Sequence, residues 1–144
     1  MSSRSKVLLI DDDELIADGL RELLDIERID LHVHQSLITI PFAMRRVNPD
    51  LILLDLGLPA LSGEALLERG AHRVLRTDVP IILFSGRSRH ELSCLAEQFG
   101  ADGFIAKNDD ILDSIRKIKL WLENRRVMKG ASHAAARTAS SSAK

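Results

Sequence analysis

The chain has 144 residues, enough for one domain with a proper core and too few for two ordinary ones. Its apolar fraction of 45%, charged fraction of 28% and net charge of -1 suit a soluble globular protein and argue against a general nucleic-acid-binding surface. The single cysteine, Cys94, excludes an internal disulfide, and no apolar run reaches the roughly 20 residues of a membrane span or builds a signal peptide, so a cytoplasmic chain is expected.

In chain order, residues 7–10 form a short apolar run that ends on Asp11, Asp12 and Asp13. Residues 14–27 follow with Ile16, Leu20, Leu23 and Leu24 on one side, the pattern of an amphipathic helix. Residues 30–34 alternate apolar and polar, as a half-covered edge strand does. A short helix is expected over residues 41–47, with Pro41 suited to its first turn, and Asn48-Pro49 stops it. A third apolar run, residues 51–54, ends on Asp55. The next helix should begin near Ser62, which can cap it. After Asp78 and Pro80 comes a fourth run, residues 81–84, ending on Ser85.

Residues 89–99 place Leu92, Leu95, Ala96 and Phe99 on one stripe, with Gly100 past the end. Residues 103–106 form the fifth run and end on Lys107. A last helix is expected from about Asp110 to Arg126, with Ile111, Ile115, Ile118 and Leu122 inward. Residues 128–144 are rich in Ala and Ser, lack acidic residues and carry no amphipathic stripe. The expected division is therefore an ordered unit over 1–126 and a flexible tail or linker over 127–144. Apolar runs alternating with helical patterns predict an α/β fold with one doubly wound parallel sheet. Cys94 is expected to be a small packed residue, and Trp121 to lie at the flank of the last helix's apolar stripe. His32 and His34 share a strand face without a visible third ligand.

A strand order of 2-1-3-4-5 would put the ligand crevice between strands one and three, which both end in aspartates. Two carboxylates about 5 Å apart repel by roughly 3 kcal/mol at an effective dielectric near 20. A divalent cation turns that repulsion into binding, and an open all-oxygen site suits Mg²⁺. Lys107 would add a fixed positive charge. Metal and ammonium together can neutralise a phosphoryl group while a carboxylate attacks in line. Ser85 can donate to a phosphoryl oxygen, and Gly57 and Gly86 leave room for it.

The chain resembles the receiver domains of two-component response regulators, the CheY-like family, from about Lys6 to Arg126. Four motifs carry the resemblance: Leu8-Leu9-Ile10-Asp11-Asp12-Asp13, Asp55 through Pro59 to Gly63, Phe84-Ser85-Gly86, and Gly103-Phe104-Ile105-Ala106-Lys107. The resemblance implies a five-stranded parallel sheet of order 2-1-3-4-5 with helices on both faces. It implies that Asp55 accepts a phosphoryl group from a phosphohistidine on a sensor histidine kinase or histidine phosphotransfer protein. Asp11, Asp12, Asp55 and the Gly57 carbonyl would hold Mg²⁺, and Ser85 and Lys107 would bind the phosphoryl oxygens. Movement of Ser85 and Phe104 would then remodel the surface of the fourth helix, fifth strand and fifth helix. A downstream protein target or effector domain would read that surface, which could also pair two copies. Neither nucleic acid nor membrane is implied as a direct partner. The domain would not be an enzyme beyond its own phosphorylation and dephosphorylation.

One departure stands out. Relatives usually follow the lysine with proline, often through a cis peptide bond, whereas this chain has Asn108. A cis bond before a non-proline residue costs about 2.5–4 kcal/mol, so a trans bond and a reshaped loop are expected. Two rival functions remain open from the residues alone. A pseudo-receiver would use the same fold only for protein contacts. A phosphohydrolase of the haloacid-dehalogenase type would use Asp11 and Asp13 as its Asp-x-Asp pair and leave Asp55 idle.

Overall fold

A computed structural model describes residues 4–36, 39–57 and 68–142, with backbone alone beyond residue 127. Five strands form one parallel sheet: β1 (Ser5–Ile10), β2 (Ile29–His34), β3 (Leu51–Leu54), β4 (Ile81–Ser85) and β5 (Gly103–Ala106). Their order is β2-β1-β3-β4-β5, as expected. Among the described residues the helices are α1 (Glu14–Ile26), α2 (Ile40–Val47), α3 (Ala71–Leu75), α4 (Arg89–Phe99) and α5 (Ile111–Ser142). The helix expected near Ser62, and the motif positions from Pro59 to Gly63, lie outside the described residues.

The apolar runs are strands because both faces of the sheet are covered, which removes the usual apolar/polar alternation. Leu8, Ile10, Ile52, Leu54, Ile81 and Leu83 point to one side, against Ile40 and Ala43 of α2, Leu75 of α3 and Leu92 and Phe99 of α4. Val7, Leu9, Leu51, Leu53, Ile82 and Phe84 point to the other, against Leu20 and Leu24 of α1 and Ile115, Ile118 and Leu122 of α5. Full burial of a Leu or Ile side chain is worth about 1.5–3 kcal/mol, so this double core fixes the sheet firmly.

Capping residues start and stop the helices. Asp13 accepts hydrogen bonds from the N–H groups of Leu15 and Ile16, and Ser88 accepts one from Glu91. Gly100 ends α4 at φ 70°, a left-handed conformation that glycine adopts without steric cost. At Gly103 the reason for glycine is contact, since a Cβ there would meet Trp121 Cζ2 at 2.8 Å.

Three expectations need correction. The last helix continues to Ser142 instead of ending near Arg126. Alanine is the best helix former and no proline follows Arg126, so helix propagates without the amphipathic stripe used to set its end. Cys94 is exposed, because it lies off the stripe of Leu92, Ala96 and Phe99 that α4 buries. Ile111 is 40% exposed rather than inward, since it opens α5 and no preceding turn of that helix covers it.

Candidate functional site

Backbone pairing carries the sheet one residue past its strand ends and thereby assembles the site. The Asp11 N–H donates to the His34 carbonyl at 3.0 Å, Asp55 to Ile10 at 2.9 Å, and Lys107 to Ser85 at 2.8 Å. Asp11, Asp55, Ser85 and Lys107 therefore sit side by side along one edge, at the point where the strand order reverses.

The three successive aspartates have three different fates. Asp11 is fully buried, Asp12 is exposed, and Asp13 is the cap of α1. A solvated helix cap thus accounts for Asp13 alone. Asp11 Oδ1 accepts from the Asp13 N–H at 3.0 Å, while Oδ2 lies 2.6 Å from Lys107 Nζ but outside hydrogen-bond geometry. Lys107 Nζ is also 3.5 Å from Asp55 Oδ2 and 5.4 Å from the centre of the Phe84 ring. One ammonium thus serves two buried carboxylates. Oxygens of Asp11, Asp12 and Asp55 all lie within 4.8 Å of one another, a spacing that a single cation can bridge. Among the described residues no other group of three His, Cys, Asp or Glu side chains has such a spacing, His32 and His34 included.

Burial pushes the Asp55 carboxyl above the usual carboxylate range. The Gly57 N–H, which donates to Asp55 Oδ1 at 3.0 Å, pulls it down. The Asp11 carboxyl raises it again, against the field of Lys107. The net direction is upward because one ammonium cannot offset desolvation together with a second carboxylate. A Cβ at Gly57 would stand 3.5 Å from both Asp55 oxygens. Ser85 is buried at the end of β4, and its Oγ accepts from the Arg87 N–H at 3.3 Å. Phe104 is half-buried against the core face that α2, α3 and α4 share.

The sequence profile of the response regulator receiver domain matches residues 7–119. The chain belongs to the response regulator receiver family. It is 32% identical over 130 residues to the C4-dicarboxylate transport transcriptional regulatory protein DctD of Pseudomonas aeruginosa, covering 85% of this chain and 28% of that protein. It is 35% identical over 106 residues to the DNA-binding response regulator MtrA of Mycobacterium tuberculosis, covering 72% of this chain and 44% of that one. The chain therefore spans less than half the length of these relatives. Among solved structures, a CheY-like receiver domain protein from Methanospirillum hungatei JF-1 superposes with a TM-score of 0.71 at 28% identity, covering 88% of this chain and 99% of that one. The receiver domain of the TMAO respiratory system regulator TorR gives 0.70 at 27%, covering 83% and 98%. As a receiver domain of a two-component response regulator, the chain is a signalling domain.

Sequence reasoning missed the polar network around the lysine. Asn108 Nδ2 donates to the Gly86 carbonyl at 3.0 Å, and the Lys107–Asn108 bond is trans, as expected. Asp109 pairs with Arg89 at 3.0 Å and with Lys117 at 3.2 Å. Arg89 holds the Asp109 carboxyl below the usual carboxylate range. Arg89 and Asp109 are 20 residues apart on different elements, and no local spacing announces such a pair.

Proposed function

We propose that this receiver accepts a phosphoryl group on Asp55 from a phosphohistidine of a sensor kinase or histidine phosphotransfer protein. The observation that carries this reading is the pair of buried carboxylates, Asp11 and Asp55, sharing one lysine at the open edge of the sheet. Structural ion pairs tend to balance; this set is left with excess negative charge. The residues fit Mg²⁺: Asp11 Oδ2 is a buried oxygen without a hydrogen bond, and Asp12 and Asp55 place oxygens nearby. Those three side chains and the Gly57 carbonyl would hold the ion, whose charge would offset that of the phosphoryl oxygens.

An Asp55 oxygen attacks phosphorus in line, the P–N bond breaks, and its electron pair stays on the imidazole nitrogen. Lys107 neutralises charge on the phosphoryl oxygens, and Ser85 turns its hydroxyl from the Arg87 N–H to donate to one of them. Lysine and serine supply charge and orientation, as a bound metal would; the nucleophile is Asp55. Ser85 and Phe104 then carry the change to the surface of α4, β5 and α5, which a downstream protein, an effector domain or a second copy reads. The receiver unit covers 1–126, with 127–144 outside it, in a cytoplasmic setting. No described helix is long and apolar enough to cross a membrane.

A hydrolase centred on Asp11 fits less well, because Asp13, its expected second acid, is occupied in capping α1. The test is incubation with Mg²⁺ and acetyl phosphate, read by intact mass. One added phosphoryl group is expected, and none on Asp55→Asn. Labelling that persists in Asp55→Asn and needs Asp11 would favour the hydrolase. No adduct on the wild type would favour a pseudo-receiver that only binds protein.

A further inference from the structure

The two groups that clamp a phosphoryl oxygen come from separate loops. Ser85 ends β4 and opens the loop to α4, whereas Lys107 ends β5 and opens the loop to α5. Productive transfer needs both in place together, and a displacement of about 1 Å can cost a hundredfold in rate. Packing holds the first loop poorly. Gly86, Arg87, Ser88 and Arg89 are all exposed, and a Cβ at Gly86 would meet nothing within 4 Å.

Polar ties do what packing does not. Every residue of the second loop is anchored. Lys107 reaches the two carboxylates and its N–H donates to the Ser85 carbonyl; Asn108 Nδ2 donates to the Gly86 carbonyl at 3.0 Å. Asp109 takes a two-pronged contact from Arg89, with Nε at 3.3 Å and Nη2 at 3.0 Å, and Asp110 Oδ1 accepts from the Leu112 N–H at 2.9 Å in the first turn of α5. The tie from Asn108 joins the residues that directly follow Lys107 and Ser85, and the tie from Asp109 reaches Arg89 at the start of α4. Asparagine can do this where proline, with no side-chain donor, cannot.

We propose that Asn108 is a positioning residue for phosphoryl transfer: its carboxamide clips the Lys107 loop to the Ser85 loop, so that both groups meet the phosphoryl group in one fixed geometry. The Arg89–Asp109 pair is the second half of the clip and links the geometry of the site to the first turn of α4. This inference rests on Asp55 as the phosphoacceptor. Asn108 touches no reacting atom and acts through the two loops. Its exposure separates positioning from stability, because a substitution there leaves the core intact.

The experiment compares wild type, Asn108→Asp, Asn108→Ala and Asn108→Gln as full chains, with Mg²⁺ and acetyl phosphate over a range of concentrations. Aspartate keeps the shape but replaces the donor with an acceptor facing the Gly86 carbonyl. It should lower the limiting phosphorylation rate roughly three- to tenfold, the worth of one hydrogen bond, with unchanged half-saturating donor concentration and unchanged Tm. Alanine should lower it similarly, and glutamine, which keeps the carboxamide, should restore much of it. Equal limiting rates in all four proteins would overturn the inference. So would a rate loss that tracks a fall in Tm and is not rescued by glutamine, the mark of a purely structural role. A wild type that takes no phosphoryl group overturns the reading of Asp55 and this inference with it.

Discussion

At the amino ends of the strands, Asp102 Oδ2 accepts from the Ile81 N–H at 2.8 Å and lies 2.8 Å from His72 Nε2. Asp50 likewise accepts from the Lys6 N–H at 2.9 Å, and Arg4 bridges Asp25 at 2.6 Å and Asp30 at 2.9 Å. At the carboxyl ends of the same strands, Asp11 and Asp55 are both buried and share Lys107, with Asp12 close by. One edge matches its carboxylates with donors and charges; the other gathers them against a single ammonium. Repulsion that folding leaves standing marks a candidate functional site, which the proposed function would fill with a cation and a phosphoryl group. Carboxylates at the matched edge stabilise the fold.

Removing charge from each edge should have opposite consequences. The largest effect is expected on chemistry: Lys107→Ala should slow phosphorylation by acetyl phosphate on the order of a hundredfold, as loss of a charge-stabilising donor does. A loss under threefold would remove Lys107 from the clamp. Next, Asp102→Ala should destabilise the protein by about 1–2 kcal/mol in urea unfolding, because it strands the Ile81 N–H and breaks the contact with His72. Its phosphorylation rate should match the wild type; a slowed rate would blur the contrast between the edges.

The smallest effect carries the opposite sign. Without metal, Asp55→Asn should stabilise the protein at neutral pH by about 1 kcal/mol, since it relieves like-charge repulsion. Burial raises the folded carboxyl above its unfolded value, so the charged form is penalised only in the folded state. The wild type loses stability relative to the variant as pH rises from the usual carboxylate range through that raised value. Below that window both carry a neutral group and the gap should close. A variant less stable than wild type at pH 7 would mean that Lys107 already compensates both carboxylates.

Much of the fold was legible because its signals are local. Four of the five apolar runs end on Asp11, Asp55, Ser85 and Lys107, and a strand buried on both faces must be written that way. The start and end of α2 follow from Pro41 and Asn48, and the end of α4 from Gly100. The end of α5 was misread because composition describes the unfolded preference of a polar Ala/Ser stretch, whereas helix propagation from a docked segment decides its state. Cys94 was misplaced because a small apolar residue can sit on either face of a helix, and its neighbours on the stripe decided which.

The sequence alone determined the apolar runs, the parallel α/β class and the residues that end those runs, since these signals are local. The strand order came with the resemblance to receiver domains. Tertiary structure divided Asp11, Asp12 and Asp13 into a buried carboxylate, an exposed one and a helix cap. It also decided that Lys107 serves two carboxylates and that Asn108 and Arg89 tie one loop to another. Those contacts join residues about 20 to 100 positions apart. Their geometry depends on how the loops pack after the sheet has formed, and no spacing along the chain encodes it.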